Sequence, residues 1–406
     1  MNASLLLSFL ESRLPAGLQL LERWVGINSF TANAEGVNRL GRATAEAFAG
    51  LGFMPEFVPS IEPRYGSHLY LRRGNNGGPP LVLVTHLDTV FPPEEEEQND
   101  FRWRPEPTEG RIYGPGTVDI KGGTLVIWLA LHALAELEPE AFAGRDWLIA
   151  ANASEEALSA DFGEQTSRRC PLEKGGARAV LVFEGGALQG REFTLVTARK
   201  GKADFRITAH GRAAHAGSQH DEGRNAIVAL SHAVGQLAAL TDYAREVTVN
   251  VGHIHGGTVV NRVPHEAFCT LEMRAFDEAV FRRTQEAIAS LAGPSPVVPG
   301  VNLTVEPLGK TAPWPGNAGT QELLALFAEM ASGQCASVVP QRRGGLSDAN
   351  YLSHLGPTLD GLGPAGAFAH CSERSADGSK TPEYVDAASF IPKTALVVQA
   401  LRALAR

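Results

Sequence analysis

Cysteine is scarce in this sequence, with 4 residues in a chain of 406. The four positions are scattered and none forms a C-x-x-C pair: Cys170, Cys269, Cys335 and Cys371. So few thiols in a chain of this length argue against a disulfide scaffold and fit a reducing compartment. We therefore expect a cytoplasmic protein.

Basic residues are outnumbered, with 36 Lys and Arg against 45 Asp and Glu and a net charge of −9. Proteins bind nucleic-acid phosphates with clustered Lys and Arg, so a nucleic acid is not an expected partner. The densest acidic run, residues 94–97, is interpreted as a solvated loop rather than a cation site.

Long apolar runs and several signature loops are absent. No stretch approaches the about 18 apolar residues of a membrane span, so no membrane partner is expected. Residues 1–15 lack a basic n-region, and Glu11 interrupts their apolar run, so we interpret them as the first helix rather than a signal peptide. The sequence has no G-x-x-x-x-G-K-[ST], which argues against a nucleotide enzyme. The stretch GGLSDA lacks the last glycine of G-x-S-x-G, which argues against a serine hydrolase.

A chain of this length predicts two domains, and the apolar patterns indicate how they are divided. Residues 81–85, 147–151 and 179–183 are near-continuous apolar runs, typical of strands buried on both faces. Helical patterns alternate with them, including residues 123–137, which indicates an α/β layered domain. We assign residues 1–197 and 309–406 to this domain.

Residues 198–308 follow a different pattern. Apolar and polar residues alternate in KADFRITAHG and over residues 266–274, which favours an antiparallel sheet with one wet face. Helical spacing connects Ile227, Leu230, Val234 and Leu237, and a second helix is predicted at about residues 277–291. The segment therefore predicts a small inserted α+β domain with two helices on one face of its sheet.

Residues able to bind a metal follow the buried strands, at the sheet edge where α/β proteins collect ligands. They are His86, Asp88, Asp119, Glu155, Glu156, Glu184 and, near the C-terminus, His370. Any one of them alone is commonly a satisfied or solvated side chain. Two imidazoles together with three of these carboxylates match the ligand set of a two-metal site.

Eight stretches carry a family resemblance. In order, THLDTVFP, YGPGTVDIKGG, SEE, FEGG, AHAG, GGTVVNRVP, LSDANY and GPAGAFAH resemble the zinc metallopeptidases that include glutamate carboxypeptidase, aminoacylase, acetylornithine deacetylase and bacterial dipeptidases. The resemblance covers nearly the whole chain. It implies a catalytic domain with a mixed sheet between helices, and an inserted ferredoxin-like lid and dimerisation domain.

The resemblance also implies two bound Zn²⁺ ions, with Mn²⁺ or Co²⁺ as alternatives that the ligand set does not exclude. Asp119 matches the family's bridging carboxylate. His86 and Glu184 would complete one metal, and Glu156 and His370 the other.

Further positions match the family's catalytic machinery. Glu155 matches the general base. Asp88 is expected to accept the proton on the second ring nitrogen of His86 and so to fix its tautomer. The peptide after Asp119 is expected to be cis, as is common in the family. Ser154 departs from the pattern, since the family often has Asp there, and we expect this to tune the site rather than abolish it.

The lid and its neighbourhood supply candidate substrate contacts. His215 matches a lid histidine that reaches the active site of the partner subunit and stabilises an oxyanion, which implies a homodimer formed through the lid. Asn261 matches a substrate-contacting asparagine. Arg342 and Arg343 are both candidates to bind a substrate carboxylate, and the sequence does not choose between them.

These features predict a dinuclear metallohydrolase that cleaves an amide bond next to a C-terminal amino acid, as a glutamate carboxypeptidase does. Its substrate would be a small peptide or an N-acyl amino acid. Within the same family, an N-acyl-amino-acid deacylase or a dipeptidase is the alternative. A non-catalytic metal- or peptide-binding homologue is more remote, because the candidate base Glu155 is present.

Overall fold

A computed structural model describes residues 2–74, 76–157 and 160–405. The chain divides into two compact units. The first comprises Met1–Thr197, Gly316–Arg342 and Ser347–Arg406, and the second comprises Ala198–Pro315 and Arg343–Leu346. The predicted second boundary at residue 308 thus lies a few residues before the end of the second unit's main segment.

The helices alternate with strands in the first unit and pair with a sheet in the second. In chain order they are α1 (Ala3–Val25), α2 (Ala34–Ala49), α3 (Pro93–Gln98), α4 (Lys121–Leu137), α5 (Pro139–Ala143), α6 (Ala160–Arg169), α7 (Ala226–Ala238), α8 (Glu278–Ala289), α9 (Ala318–Ser332), α10 (Asp348–Leu352) and α11 (Phe390–Leu404).

The strands of the described residues form four sheets. In chain order they are β1 (Met54–Pro59), β2 (Ser67–Arg73), β3 (Leu81–His86), β4 (Arg104–Glu106), β5 (Arg111–Tyr113), β6 (Trp147–Asn152), β7 (Ala179–Val182), β8 (Leu188–Gln189), β9 (Glu192–Arg199), β10 (Gly201–His210), β11 (Thr248–Gly256), β12 (Glu266–Ala275), β13 (Gly293–Pro294), β14 (Asn302–Thr311), β15 (Ser337–Arg343), β16 (Thr358–Leu359), β17 (Gly366–Ala367) and β18 (Tyr384–Asp386).

The main sheet of the first unit has the order β1-β2-β6-β3-β7-β16. It is mixed, since β3 runs parallel to β6 and β7 whereas β2 runs antiparallel to β6 and β1. Every residue of β3 and β6 is buried, as their unbroken apolar sequences predict. The predicted α/β architecture is confirmed.

Helix α4 lies against α1 and α11 in the core of this unit. Its residues are buried almost all round, because it has apolar side chains on every face rather than on one stripe. A smaller sheet, β17-β18-β5-β4, brings the C-terminal strands beside residues 104–113. This sheet positions the segments that lead to Asp119, after β5, and to His370, after β17.

The second unit contains a five-stranded antiparallel sheet of order β11-β12-β10-β14-β13. Strands β10 and β12 alternate between buried and half-exposed residues, as predicted. Helices α7 and α8 pack on the sheet, and the side chains of Asn225 and Asp277 cap their N-termini. The prediction of an α+β inserted unit with two helices is confirmed. Strand β11 lies at the edge of the sheet, and most of its residues are exposed or half-exposed.

One local prediction is wrong and another is confirmed. Residues 94–97 belong to helix α3 and are not a loop, because Pro93 at the helix start and acidic side chains in the first turn both favour a helix N-terminus. The predicted first helix is present as α1, which begins at Ala3 and continues past residue 15, through Pro15, to Val25. Within the described part of the chain, no helix is both long enough and apolar enough to cross a membrane.

Candidate metal centre

The candidate ligands meet at one edge of the main sheet. Strand β3 ends at His86, β6 leads into Glu155 and Glu156, and β7 is followed closely by Glu184. Because these three strands are parallel neighbours, their carboxyl ends lie side by side. The loop before α4 brings Asp119 to the same edge.

One ligand group is built around His86. Its Nε2 lies 3.0 Å from Oδ1 of Asp119 and 3.8 Å from Oε1 of Glu184. The candidate ligand atoms of these three residues all lie within 4.8 Å of one another. The geometry is that of residues that can share one metal ion.

A second ligand group is built around His370, which follows β17. Its Nε2 lies 3.3 Å from Oδ2 of Asp119 and 3.3 Å from Oε2 of Glu156. These three residues also offer ligand atoms within 4.8 Å of one another. Asp119 therefore turns one carboxylate oxygen towards each imidazole, and it is common to both groups. The Asp119–Ile120 peptide is cis, as expected.

The donor set fits divalent cations. Three carboxylates brought together at a largely buried sheet edge repel one another unless positive charge lies between them. Hydrogen bonds to Asp119 and Glu156 raise the pKa of His370 to about 11. Burial opposes the charged form of Asp119, but hydrogen bonds from His370 and His86 hold the pKa of this carboxyl well below its usual range. The carboxylates thus attract positive charge to the place where the imidazole nitrogens converge.

Glu155 lies beside both groups without being one of the five proposed ligands. One of its carboxylate oxygens comes within 4.8 Å of ligand atoms of His86 and Glu156. Burial raises the pKa of Glu155 well above its ordinary value, while the positive charge of His86 opposes the rise. A carboxyl group with a raised pKa next to a metal site is suited to accept and return a proton.

The carboxylate of Asp88 organises the segment that carries Glu155. Its Oδ1 accepts a hydrogen bond from the backbone N–H of Glu155 at 3.0 Å, and its Oδ2 accepts from the N–H of Glu156 at 3.2 Å. Oδ2 also accepts from the hydroxyl of Thr31 at 2.7 Å. This fixes the backbone of the candidate base relative to the end of β3.

The expected contact between Asp88 and His86 is found only in part. Nδ1 of His86 lies 2.9 Å from the backbone carbonyl oxygen of Asp88 and 3.4 Å from its Oδ1. The backbone oxygen is therefore the nearer acceptor for the ring proton. The carboxylate is already engaged by three other donors, which explains the difference.

Replacing Asp88 by Asn is expected to lower kcat by about 10- to 100-fold. An amide has one oxygen where the carboxylate has two, so its NH₂ group would face the N–H of Glu155 or Glu156. Steady-state kinetics and elemental analysis of metal content measure the effect. Thr31→Val, which removes one of the three donors and leaves the carboxylate, should lose less activity. An Asp88→Asn enzyme with wild-type kcat would show that this network does not position the base.

Sequence reasoning missed a buried polar pair behind the site. Nδ2 of Asn152 donates to Oδ1 of Asp348 at 2.8 Å, and Oδ1 of Asn152 accepts from the N–H of Ser154 at 3.0 Å. Burial raises the pKa of Asp348 to about 7. The motif LSDANY contains Asp348 and could have marked it as a candidate site residue. A motif alone, however, does not reveal which strand end the side chain faces. Ser154 is fully buried.

His215 and Asn261 are neighbours in the second unit. The N–H of Ala216 donates to the carbonyl oxygen of Asn261 at 2.9 Å. Nδ1 of His215 accepts from the N–H groups of Gly217 and Ser218 at 3.1 and 3.2 Å. In a neutral ring the proton is then on Nε2, so the exposed imidazole presents a hydrogen-bond donor.

The two candidate arginines lie at the end of β15. Arg342 is exposed and belongs to the first unit, while Arg343 is half-exposed and belongs to the second. The turn after Arg343 is held within the second unit by two other arginines. Arg274 donates to the carbonyl oxygen of Gly344 at 3.1 Å, and Arg199 donates to the next two carbonyl oxygens at 3.2 and 2.9 Å. The choice between Arg342 and Arg343 stays open.

Comparison with known proteins places these features among peptidases. Residues 197–296 match the model of the peptidase dimerisation domain. The chain is 28% identical to carboxypeptidase G2 of a Pseudomonas species over 384 residues, covering 93% of this chain and 86% of that protein. The matched region thus extends across both units.

Solved structures share the fold. The aminopeptidase PepT of Bacillus cereus matches with a TM-score of 0.75 at 19% identity, covering 97% of this chain and 99% of the other. A tripeptidase of Staphylococcus aureus matches with a TM-score of 0.73 at 21% identity, covering 98% and 99%. The M20 family metallo-carboxypeptidase of Sulfolobus solfataricus matches with a TM-score of 0.68 at 15% identity, covering 96% and 99%.

Proposed function

Because this chain belongs to the M20 family of metallopeptidases, we propose that it hydrolyses the amide bond next to a C-terminal amino acid, in the manner of a glutamate carboxypeptidase. The observation that carries the proposal is the pair of ligand groups that share Asp119. The similarity to carboxypeptidase G2 along 93% of the chain supports the carboxypeptidase reading.

We assign the two ligand groups to two divalent cations, with Zn²⁺ as the first candidate and Mn²⁺ or Co²⁺ as alternatives. His86 and Glu184 would hold one cation, Glu156 and His370 the other, and Asp119 both. When bound, such a pair of cations polarises a carbonyl group and lowers the pKa of water.

The remaining chemistry belongs to the side chains. The carboxylate of Glu155 would take a proton from the attacking water and return it to the nitrogen of the leaving amine, so that the proton count balances. The Nε2–H of His215 would donate a hydrogen bond to the oxyanion, contributed across a dimer from the partner subunit. Asn261 and either Arg342 or Arg343 would bind the substrate, the arginine through its terminal carboxylate.

The second unit supports a homodimer. It contains the matched dimerisation domain, and β11 presents an edge whose side chains are mostly exposed. Exposed strand edges are ready to pair with another chain. The four free cysteines support our proposal of a reducing, cytoplasmic environment.

A substrate panel tests the activity. Purified protein with added Zn²⁺, Mn²⁺ or Co²⁺ is given dipeptides and N-acyl amino acids that differ only in the C-terminal residue. We expect kcat/KM to be at least about tenfold higher with C-terminal Glu or Asp than with Leu or Ala, because a glutamate-directed site must pair the acidic side chain with a cation in addition to binding the terminal carboxylate that every substrate carries. Equal rates across C-terminal residues would favour the deacylase or dipeptidase alternative.

Glu155→Gln protein, purified in the same way, is the control for a contaminating hydrolase. Hydrolysis at the same rate by this variant would show that the activity does not come from the proposed site. Failure of the wild-type protein to hydrolyse any member of the panel with any of the three metals would contradict the proposed function.

A further inference from the structure

Glu383 is a buried carboxylate outside every set of residues considered so far. Its side chain has no exposed surface, and it precedes strand β18. Burying a carboxylate costs several kcal/mol unless strong hydrogen bonds compensate. The hydrogen-bond donors around Glu383 therefore indicate its structural role.

The carboxylate of Glu383 accepts hydrogen bonds from the loop that carries Asp119. Its Oε1 accepts hydrogen bonds from the backbone N–H groups of Val118 at 2.8 Å and of Asp119 itself at 3.0 Å. Its Oε2 lies 3.4 Å from the N–H of Gly116. Three successive or near-successive amides of one loop therefore point at one carboxyl group.

The backbone of Glu383 also forms hydrogen bonds, both with the loop that carries Asp119 and with the segment that carries His370. Its carbonyl oxygen accepts from the N–H of Gly114 at 3.3 Å, at the start of the same loop. Its own N–H donates to the carbonyl oxygen of Cys371 at 2.7 Å, one residue after His370. Strand β18, which follows directly, pairs with β5 just before that loop.

A buried lysine also lies near Glu383. Lys121 is 2% exposed, and its Nζ donates to the carbonyl oxygen of Ile27 at 3.2 Å. Burial lowers the pKa of Lys121 to about 8, and the negative charges of Glu96 and Glu383 oppose that effect. Glu383 is thus held by the backbone amide donors of the loop that carries Asp119.

We infer that Glu383 is the positioning residue of the metal centre: its carboxylate sets the direction of Asp119, while its backbone ties that loop to the segment of His370. The inference rests on the proposed function, because it takes Asp119 and His370 as ligands. Asp119 and His370 both belong to the second ligand group, and Asp119 belongs to the first group as well. A displaced loop would therefore move the ligand that the two groups share and change its distance to His370.

The test compares Glu383→Gln and Glu383→Ala with the wild-type chain. Gln keeps one oxygen that can accept from Val118 and Asp119, whereas Ala leaves both N–H groups without their acceptor. Asp146→Asn is the matched control. Asp146 also accepts from two backbone N–H groups, of Asn76 at 2.8 Å and Gly77 at 3.0 Å, but lies at the start of β6, at the opposite end of the strands.

Three readouts separate positioning from general stability. Co²⁺ titration followed by d–d absorption gives affinity and coordination, thermal unfolding of the metal-free chains gives Tm, and kinetics gives kcat and KM. We expect Glu383→Ala to bind Co²⁺ at least about tenfold more weakly, with an altered spectrum, and to lose about 100-fold in kcat with KM nearly unchanged. Glu383→Gln should fall between Ala and wild type, and Asp146→Asn should lower Tm without changing Co²⁺ affinity.

The inference fails if Glu383→Ala binds Co²⁺ with wild-type affinity and spectrum. It also fails if Asp146→Asn weakens Co²⁺ binding as much as the Glu383 variants do. Should the Ala variant not fold, the Gln variant decides alone, and wild-type affinity there overturns the inference. A wild-type chain that binds no Co²⁺ would instead refute the proposed metal centre, so the two failures are distinguishable.

Discussion

Replacing Glu155 by Gln is expected to lower kcat by about 1,000-fold and to leave metal content at the wild-type level. Gln has nearly the same shape and keeps the backbone N–H that donates to Asp88 at 3.0 Å. It cannot accept a proton and return it, so the loss should fall on turnover, with KM changed little. Steady-state kinetics and elemental analysis on the same preparation measure both quantities.

Glu164→Gln is a suitable control, since Glu164 is a solvent-exposed carboxylate on α6 that pairs with Arg168. We expect this variant to retain full activity. If Glu155→Gln keeps more than about a tenth of wild-type kcat, Glu155 is not the general base. If it loses metal as well as activity, Glu155 acts as a ligand, and the set of assigned metal ligands must change.

Replacing Asp119 by Ala is expected to remove both metals, with activity falling by at least about 10,000-fold. Asp119 is the residue whose two oxygens face the two imidazoles, at 3.0 Å from His86 and 3.3 Å from His370. Its loss therefore weakens both ligand groups at once. Elemental analysis after gel filtration, with Zn²⁺ titration as a second measurement, gives the stoichiometry.

His370→Ala provides the contrast, because His370 belongs to one ligand group only. We expect that variant to lose about one equivalent of metal and to keep the other. A bridging role for Asp119 is contradicted if Asp119→Ala and His370→Ala lose the same single equivalent. Retention of both metals by Asp119→Ala would contradict its role as a ligand altogether.

Much of the first unit could be predicted because burial leaves a direct record in the sequence. Strands β3 and β6 are apolar at nearly every position, and the structure buries every residue of both. The alternation in β10 likewise records one packed and one wetter face. Local patterns of this kind depend on neighbours in the chain, so they can be read without the fold.

The candidate ligands were predicted by a different route, from motif resemblance, and their convergence could not be read from spacing. His86 and His370 are far apart in the chain, yet each has its Nε2 within 3.3 Å of an oxygen of Asp119. The parallel order of β3, β6 and β7 and the pairing of β18 with β5 bring them together. Strand order is a property of the whole sheet.

Helix α3 shows where a local signal was weighed wrongly. Four consecutive glutamates favoured a solvated loop, but Pro93 before them and their position in a first turn favour a helix start. Asp88 is a case in which the local sequence carried no signal of the contacts that the side chain makes. Its neighbours in sequence could not show that its carboxylate accepts from Thr31 and from the amides of Glu155 and Glu156.

The sequence by itself determined the two kinds of strand, the helices between them and the set of side chains able to bind divalent cations. The strands and helices follow from residue type and periodicity, and the candidate ligands follow from motif resemblance. Only the tertiary structure decided which oxygen of Asp119 faces which histidine, which carboxylate accepts from the backbone of the candidate base, and that Glu383 accepts hydrogen bonds from the loop that carries Asp119. Those are contacts between segments up to several hundred residues apart, and hydrogen bonds of about 3 Å depend on packing that no local pattern records.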